Sequence, residues 1–257
     1  MKNNDINLSA VVLVKDEEEK IVDCIDSLKF ADEVIIIDDF SEDRTIELVE
    51  RFDVKVYKRK LDDDFAEQRN FGLKKAFGKW VLFIDADERV GKNLRDEIIQ
   101  AINNPLLNIM GYYIRRQDFF MGKDLKHGET ASVKLLRLAR KNAGKWERKV
   151  HETWQISGKT ALLNYAIKHH SHTSLREFIS SINKFSSLHA QVNFEEGKKS
   201  NVFKIIFWPI GHFIKNWIFR IGFADGTQGF IMALVMALHS FLAWSKLFLL
   251  QNSQIKR

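Results

Sequence analysis

One cysteine in 257 residues, Cys24, leaves nothing for an intramolecular disulfide to join. A disulfide-stapled secreted scaffold is therefore excluded, and a reducing compartment is the simplest setting. Two prolines and 13 glycines are too few for a collagen-like or low-complexity chain. Neither G-x-x-x-x-G-K-[ST] nor G-x-G-x-x-G occurs, so the P-loop and the dinucleotide fingerprint are both missing as phosphate cradles. The short apolar stretch Leu8–Val14 runs into Lys15-Asp16-Glu17-Glu18-Glu19 and not into a small-residue cleavage site, which predicts a buried strand of a non-exported protein. Acidic side chains all but vanish from residues 202–250, where Asp225 stands alone.

The charge that is present is segregated. The net +6 and pI near 9.2 suggest a polyanion-binding protein. Divided along the chain, the balance is −8 over residues 1–100, +7 over 101–197 and +7 over 198–257. An acidic first part and the lack of clustered aromatic–basic strands argue against nucleic acid. Over 101–197, Arg115, Arg116, Arg137 and Arg140 suit a phosphorylated partner, or else form a solvated face.

The first hundred residues alternate apolar runs with helical patterns. Leu8–Val14, Val34–Ile37, Val54–Tyr57 and Lys79–Ile84 read as strands, and Glu17–Phe30, a stretch capped by Ser41, Phe65–Phe77 and Leu94–Ile102 read as helices. Continuous β-branched runs mean strands covered on both faces, hence an α/β fold: a Rossmann-like, mostly parallel sheet with helices on both faces. Acids follow three of the strands, at Asp16-Glu17, Asp38-Asp39 and Asp85-Ala86-Asp87-Glu88. Ligands of open α/β sheets lie beyond the carboxyl ends of the strands, so these acids meet at one rim. An acidic rim repels a phosphate unless a divalent cation bridges the two, and a D-x-D triplet after a buried strand can hold one.

Taken together, four pieces resemble glycosyltransferase family 2, the inverting nucleotide-sugar enzymes of the GT-A fold. They are Val11–Glu17, Val34–Asp43, Gln68–Gly72 and Gly78–Glu88, in order over about ninety residues. The resemblance implies that the backbone around Val12 and Val14 and the Asp39 carboxylate contact the nucleotide base, and that Arg69 lies near the diphosphate. It implies that Asp85 faces ribose and sugar and that Asp87 binds Mg²⁺ or Mn²⁺. Gly111–Arg116, Lys134–Lys141, Trp146–Glu152, Leu175–Leu188 and the Arg220–Gly226 stretch are similar to the bacterial subgroup that adds glucose to the heptose of the lipopolysaccharide inner core. The expected substrates are then UDP-glucose, or another UDP-hexose, and a lipid-linked saccharide. A polyprenyl-phosphate acceptor, or a non-catalytic nucleotide-sugar-binding module, are the competing readings.

The sequence departs from the family pattern at Phe40, where glycine is usual, at Asp16, where asparagine is usual, and in having no Glu-Asp pair to supply the base. Of the few acids after residue 100, Glu152 matches the subgroup pattern and is taken as the catalytic base, with Glu129 in reserve. Its bland alternative is a surface salt bridge with Arg148 or Lys149. His169, His170 and His172 lack a zinc spacing, and one of them could approach the diphosphate or its cation. The expected organisation is a catalytic domain over 1–197, with a nucleotide-sugar half to residue 100 and an acceptor half beyond it, then a helical tail over 198–257. That amphipathic tail, with Lys204, Lys215 and Arg220 among Trp and Phe, suits the anionic inner face of the cytoplasmic membrane. Packing on the core or on another copy, and a true span, are the alternatives.

Overall fold

A computed structural model describes residues 6–104, 108–129, 133–149, 152–170 and 174–254. Two compact units form the chain, residues 1–116 with 133–169 and residues 117–132 with 170–257. The chain crosses between them at 116/117, 132/133 and 169/170, and the expected boundary at 197/198 lies within the second.

The first unit opens with strands β1 (Leu8–Val14), β2 (Glu33–Asp38), β3 (Lys55–Lys58) and β4 (Trp80–Asp85), alternating with helices α1 (Ile21–Ser27), α2 (Thr45–Val49) and α3 (Phe65–Lys75). These strands pair in parallel in the order β3-β2-β1-β4. The chain continues through β5 (Glu88–Arg89), α4 (Lys92–Ile102), β6 (Ile109–Phe120), β7 (Lys123–Asp124), β8 (Lys134–Arg140), the hairpin β9 (Gly144–Glu147) and β10 (Thr153–Ile156), and β11 (Lys159–His170). Beyond β4 the sheet runs β8-β6-β11-β5 and its resolved registers are antiparallel, so the parallel part ends at β4.

Alternation along the parallel strands builds two cores. Val12, Val14, Ile36, Leu82 and Ile84 face α1 and α4, where Ile21, Cys24, Ile25, Leu94 and Ile98 are buried. Val11, Ile35, Ile37, Val81 and Phe83 face the other way, onto Ala66 and Leu73 of α3 and Trp146 and Trp154 of the hairpin. This double covering is why the strands read as unbroken apolar runs. Helix α3 lies close enough to the sheet that a Cβ on Gly72 would come within 2.6 Å of Val11 Cγ1.

The rim loops explain two shortened elements. α1 starts at Ile21 because Asp16 takes φ 53° and the acids after it bind the next loop. Asp16 Oδ1 accepts the Glu42 N–H at 2.7 Å, Glu18 Oε2 accepts the Arg44 N–H at 3.0 Å, and Asp43 Oδ2 accepts the Glu18 N–H at 3.0 Å. Ser41 does not cap a helix: its hydroxyl accepts the Asp16 N–H, while Asp43 accepts the N–H of Thr45 at the start of α2.

The second unit holds α5 (Leu175–Glu195), α6 (Val202–Ile214), a π-helical turn (Lys215–Phe219), a 3-10 turn (Gly222–Asp225) and α7 (Gly226–Gln254). Phe178 and Ile182 of α5 pack with Met232 and Val235 of α7 and with Phe120 and Leu125. Lys246 on α7 donates to the Asn183 carbonyl and to Ser186 and Ser187 of α5, at 2.7 to 2.8 Å. Asp225, the lone acid of the tail, accepts the backbone N–H groups of Lys126 and His127 at 3.0 and 2.8 Å and faces the His127 ring. The turn between α6 and α7 is tight enough that a Cβ on Gly229 would lie 2.1 Å from the Gly222 carbonyl oxygen. α6 buries none of its residues.

Glu129 joins this unit through His212 at 2.6 Å and Asn216 at 3.1 Å, and the His212 hydrogen bond, outweighing burial, holds its carboxyl down at about 2. A depressed carboxylate stabilises the fold above its unfolded value, near 4.3, and loses that contribution as pH falls through the folded value. Wild type should therefore be more stable than Glu129→Gln at pH 7, with the gap closing between about pH 4.3 and pH 2. Urea unfolding of both proteins across that range measures it.

Candidate functional site

The carboxyl ends of β1, β2 and β4 bring Val14, Asp39 and Asp85 to one rim. The Asp39 N–H donates to the Val14 carbonyl at 2.9 Å, and Asp39 Oδ1 accepts the Leu61 N–H at 2.8 Å. Neighbouring Asp38 is fully buried; its Oδ1 accepts the Ser41 N–H, and its Oδ2 has no partner among the described residues. Val12 does not reach the rim. It lies inside the sheet, paired across to Ile36 and Ile84, with its side chain fully buried.

Asp85 is clasped by two guanidinium groups. Arg69 NH2 donates to Oδ1 at 2.9 Å, and Arg137 NH2 donates to Oδ2. Arg69 comes from α3, which Asp64 caps by accepting the Glu67 N–H, and shares the sheet-facing stripe with Ala66 and Leu73. Arg137 comes from β8, whose antiparallel register on β4, Leu82 against Leu138, carries it alongside. Both arginines are buried. Arg137 also donates to Glu88 Oε1 at 3.2 Å, and Glu88 Oε2 accepts the Asp85 N–H at 2.9 Å. Burial opposes the charge of Asp85, but Arg137 and Arg69 outweigh it and hold this carboxyl well below the usual range. Burial pushes Glu88 upward instead.

Arg69 has a second carboxylate, since its Nε donates to Glu152 Oε1 at 2.8 Å. The β9–β10 hairpin makes this contact possible. Asn70 of α3 exchanges two hydrogen bonds with the Trp146 backbone, both at 2.9 Å, and the Phe65 N–H donates to the Lys149 carbonyl. Trp146 and Trp154 pair across the hairpin with centroids 5.3 Å apart, and each meets Phe83 edge-on at 5.1 Å. The Arg69 guanidinium lies 4.8 Å from the Trp146 ring, within cation–π range. Glu152 is thus tied to Arg69, 83 residues away, and through it to Asp85.

Asp87 meets a histidine. Its Oδ2 lies 3.2 Å from His169 Nε2, because β11 pairs with β5 in the register Lys168–Arg89 and His169–Glu88. A carboxylate oxygen beside an imidazole nitrogen suits a divalent first-row cation. Among the described residues no group of three or more His, Cys, Asp or Glu forms, so a cation held here would draw its other ligands from substrate and water. Glu17 faces the same loop: burial raises its pKa, and the charge of Asp87 raises it further. His170 packs against Phe119 at 5.2 Å, and His151 and His172 lie outside the described residues. Glu129, the reserve base, belongs to the helical unit.

Sequence reasoning counted Arg137 only within a basic excess and missed it as a partner of Asp85. Its single sequence signal is a lone arginine inside the apolar run Leu135–Ala139.

Residues 9–169 match the family model described as Glycosyl transferase family 2. The chain is 30% identical over 249 residues to the lipopolysaccharide core biosynthesis glycosyltransferase LpsC of Rhizobium meliloti, covering 94% of this chain and 92% of that protein. It is similar in fold to S. aureus TarS 1-349 solved with UDP-GlcNAc, at TM-score 0.51 and 16% identity over 98% of this chain and 92% of that one. A second neighbour, glucosyl-3-phosphoglycerate synthase from Mycobacterium tuberculosis solved with Mn²⁺ and UDP, gives TM-score 0.50 and 14% identity over 76% of this chain and 82% of that one. The α/β architecture is the GT-A fold.

Removing Arg137 would leave the buried Glu88 carboxylate without its arginine and Asp85 with Arg69 alone, and breaking a buried pair costs about 3–5 kcal/mol. Arg137→Met should lose roughly that much at pH 7, read from the shift of the urea unfolding midpoint at unchanged slope.

Proposed function

This chain belongs to glycosyl transferase family 2, and we propose that it moves a hexose, glucose from UDP-glucose, with inversion onto a lipid-linked saccharide of the lipopolysaccharide inner core. The observation that carries this reading is the meeting of Asp85, Arg69, Arg137 and Glu152 beyond the carboxyl ends of the strands. The similarity to LpsC supports the acceptor class, and neighbours solved with UDP and UDP-GlcNAc support the donor class.

The chemistry follows from these groups. Asp39 keeps one carboxylate oxygen beyond its bond to Leu61 for a nucleotide base. Arg69 brings fixed positive charge to the rim, where the departing nucleoside diphosphate gains negative charge. The acceptor oxygen attacks the anomeric carbon as the bond to the diphosphate oxygen breaks, and Glu152 takes the acceptor's hydroxyl proton. For that, Arg69 must release Glu152 Oε1, and the incoming diphosphate is the anion that can draw the guanidinium away. Asp87 and His169 would hold the divalent cation, whose Lewis acidity neutralises the leaving diphosphate; the imidazole favours Mn²⁺ over Mg²⁺.

The tail supports attachment to the cytoplasmic face of the inner membrane. Phe203, Phe207 and Trp208 of α6 and Phe219 of the π-turn are exposed, Phe219 to 78%, beside Lys204, Lys215 and Arg220. Apolar and aromatic groups interleaved with basic ones suit an anionic headgroup layer. Among the described residues one helical stretch, 222–253, is long and apolar enough to cross a membrane. The Lys246 bonds to α5 and the α7 side chains buried against α5 favour a helix lying on the surface.

With labelled UDP-glucose, Mn²⁺ and lipopolysaccharide core acceptor, Glu152→Gln should lower kcat by about 10²–10⁴-fold while donor binding persists. Asp87→Ala should abolish metal-stimulated turnover. Product on polyprenyl phosphate alone would overturn the acceptor assignment, and unchanged Asp87→Ala activity would overturn the metal ligand. In vesicle flotation, Lys204→Glu with Lys215→Glu should weaken binding to anionic vesicles by at least about tenfold, each basic residue contributing about 1 kcal/mol, and leave binding to neutral vesicles unchanged.

A further inference from the structure

The turn that carries Asp87 is short and sits between two strands. β4 ends at Asp85 and β5 begins at Glu88, so Ala86 and Asp87 form the turn, and β5 itself is only two residues long. β5 pairs with β11 through Lys168–Arg89 and His169–Glu88. A backbone carbonyl left off such a short ladder needs a donor from elsewhere.

One side chain supplies the donors. Arg89 NH1 donates to the Ala86 carbonyl and to the Glu88 carbonyl, both at 2.8 Å, and NH2 donates to the Lys20 carbonyl at 2.6 Å. Ala86 and Glu88 are the chain neighbours of Asp87, so the guanidinium grips the backbone on either side of that carboxylate. Lys20 immediately precedes α1 and pairs with Glu17, which faces the same turn. At the start of the turn, Glu88 Oε2 accepts the Asp85 N–H at 2.9 Å.

An ion pair does not account for this arginine. Its carboxylate partner among the described residues, Asp23 Oδ2, lies 3.9 Å away on a side chain 78% exposed, whereas the Arg89 side chain is 14% exposed. Exposed pairs of that kind contribute little. A planar fork of donors serves several carbonyls in one fixed geometry, and an ammonium on a flexible stem does not.

We propose that Arg89 is a positioning residue for the divalent cation, because its grip on the carbonyls of Ala86, Glu88 and Lys20 sets the Asp87 carboxylate against His169 in advance of binding. The inference rests on the reading of Asp87 and His169 as the residues that hold the cation. With two side chains and no third among the described residues, the site depends on their separation being fixed beforehand. The Arg89 backbone serves the second ligand too, since it pairs with Lys168, the neighbour of His169.

Mn²⁺ binding to the full-length protein in the presence of UDP, followed by loss of the free-Mn²⁺ electron paramagnetic resonance signal, tests this. Arg89→Gln and the charge-keeping Arg89→Lys should each weaken Mn²⁺ by at least about tenfold, the effect typical of a lost group that orients a metal ligand. UDP affinity without metal should stay at the wild-type value in both. Asp23→Asn, which removes the ion pair and keeps the carbonyl bonds, should bind Mn²⁺ as wild type does. In turnover, Arg89→Lys should need correspondingly more Mn²⁺ for its half-maximal rate and recover the wild-type kcat once saturated, whereas a merely destabilised protein loses kcat at every concentration. Near-UV circular dichroism checks folding. Unchanged Mn²⁺ affinity in either folded variant, a kcat that stays low at saturating Mn²⁺, or loss of folding in both would overturn the role of Arg89. Wild type that binds UDP but no Mn²⁺ would overturn the cation reading itself.

Discussion

A carboxylate at the end of a buried strand stays charged only if something replaces the water it has lost. Asp85 has two arginines for this, and each is delivered by a different part of the fold. Arg69 requires α3 to lie against the sheet, which Gly72 permits, and Arg137 requires β8 to run antiparallel beside β4. Glu88 and Glu152 then share the surplus positive charge. Remove the clasp and Asp85 and Glu88 lose their counter-charges, and Glu152 loses its link to β4. The site is thus a single charge network, with two arginines serving three carboxylates.

That network changes the meaning of the acidic front of the chain. A −8 balance over the first hundred residues suggests a cluster of cation ligands. Several of those acids have other work. Asp16, Glu18 and Asp43 accept backbone N–H groups and lace the first two rim loops together, and Asp38 and Asp39 do the same within and beyond β2. Such bonds satisfy loop amides that the sheet cannot reach. Asp87 with His169 is left as the pair suited to a cation.

The helical unit obeys a different constraint. Its interior seam between α5 and α7 is closed by Phe178, Ile182, Met232 and Val235 and by Lys246, which spends its ammonium on α5 oxygens. α6 meets α7 through Trp208 against Trp244 and Phe213 against Phe230, but none of its own side chains is buried. A helix of that composition is stable where its apolar surface meets something other than water.

Periodicity and local propensity made the parallel strands, α3, α4 and the start of α5 legible from the chain alone, because burial on both sheet faces writes itself as unbroken apolar runs. The same logic put Asp39, Asp85 and Asp87 at strand ends. What the chain could not disclose were pairings made across long sequence separations. Glu152 reads beside Arg148 and Lys149 as a surface ion pair, yet its partner is Arg69 on α3. Three histidines near residue 170 look interchangeable, and the register of β11 on β5 brings His169 to Asp87. Sequence by itself determined which residues carry charge at the strand ends, since strand length and face follow from nearest-neighbour chemistry. Tertiary structure decided which charges meet, since a buried charge is settled by whichever counter-charge the sheet order brings within hydrogen-bond reach.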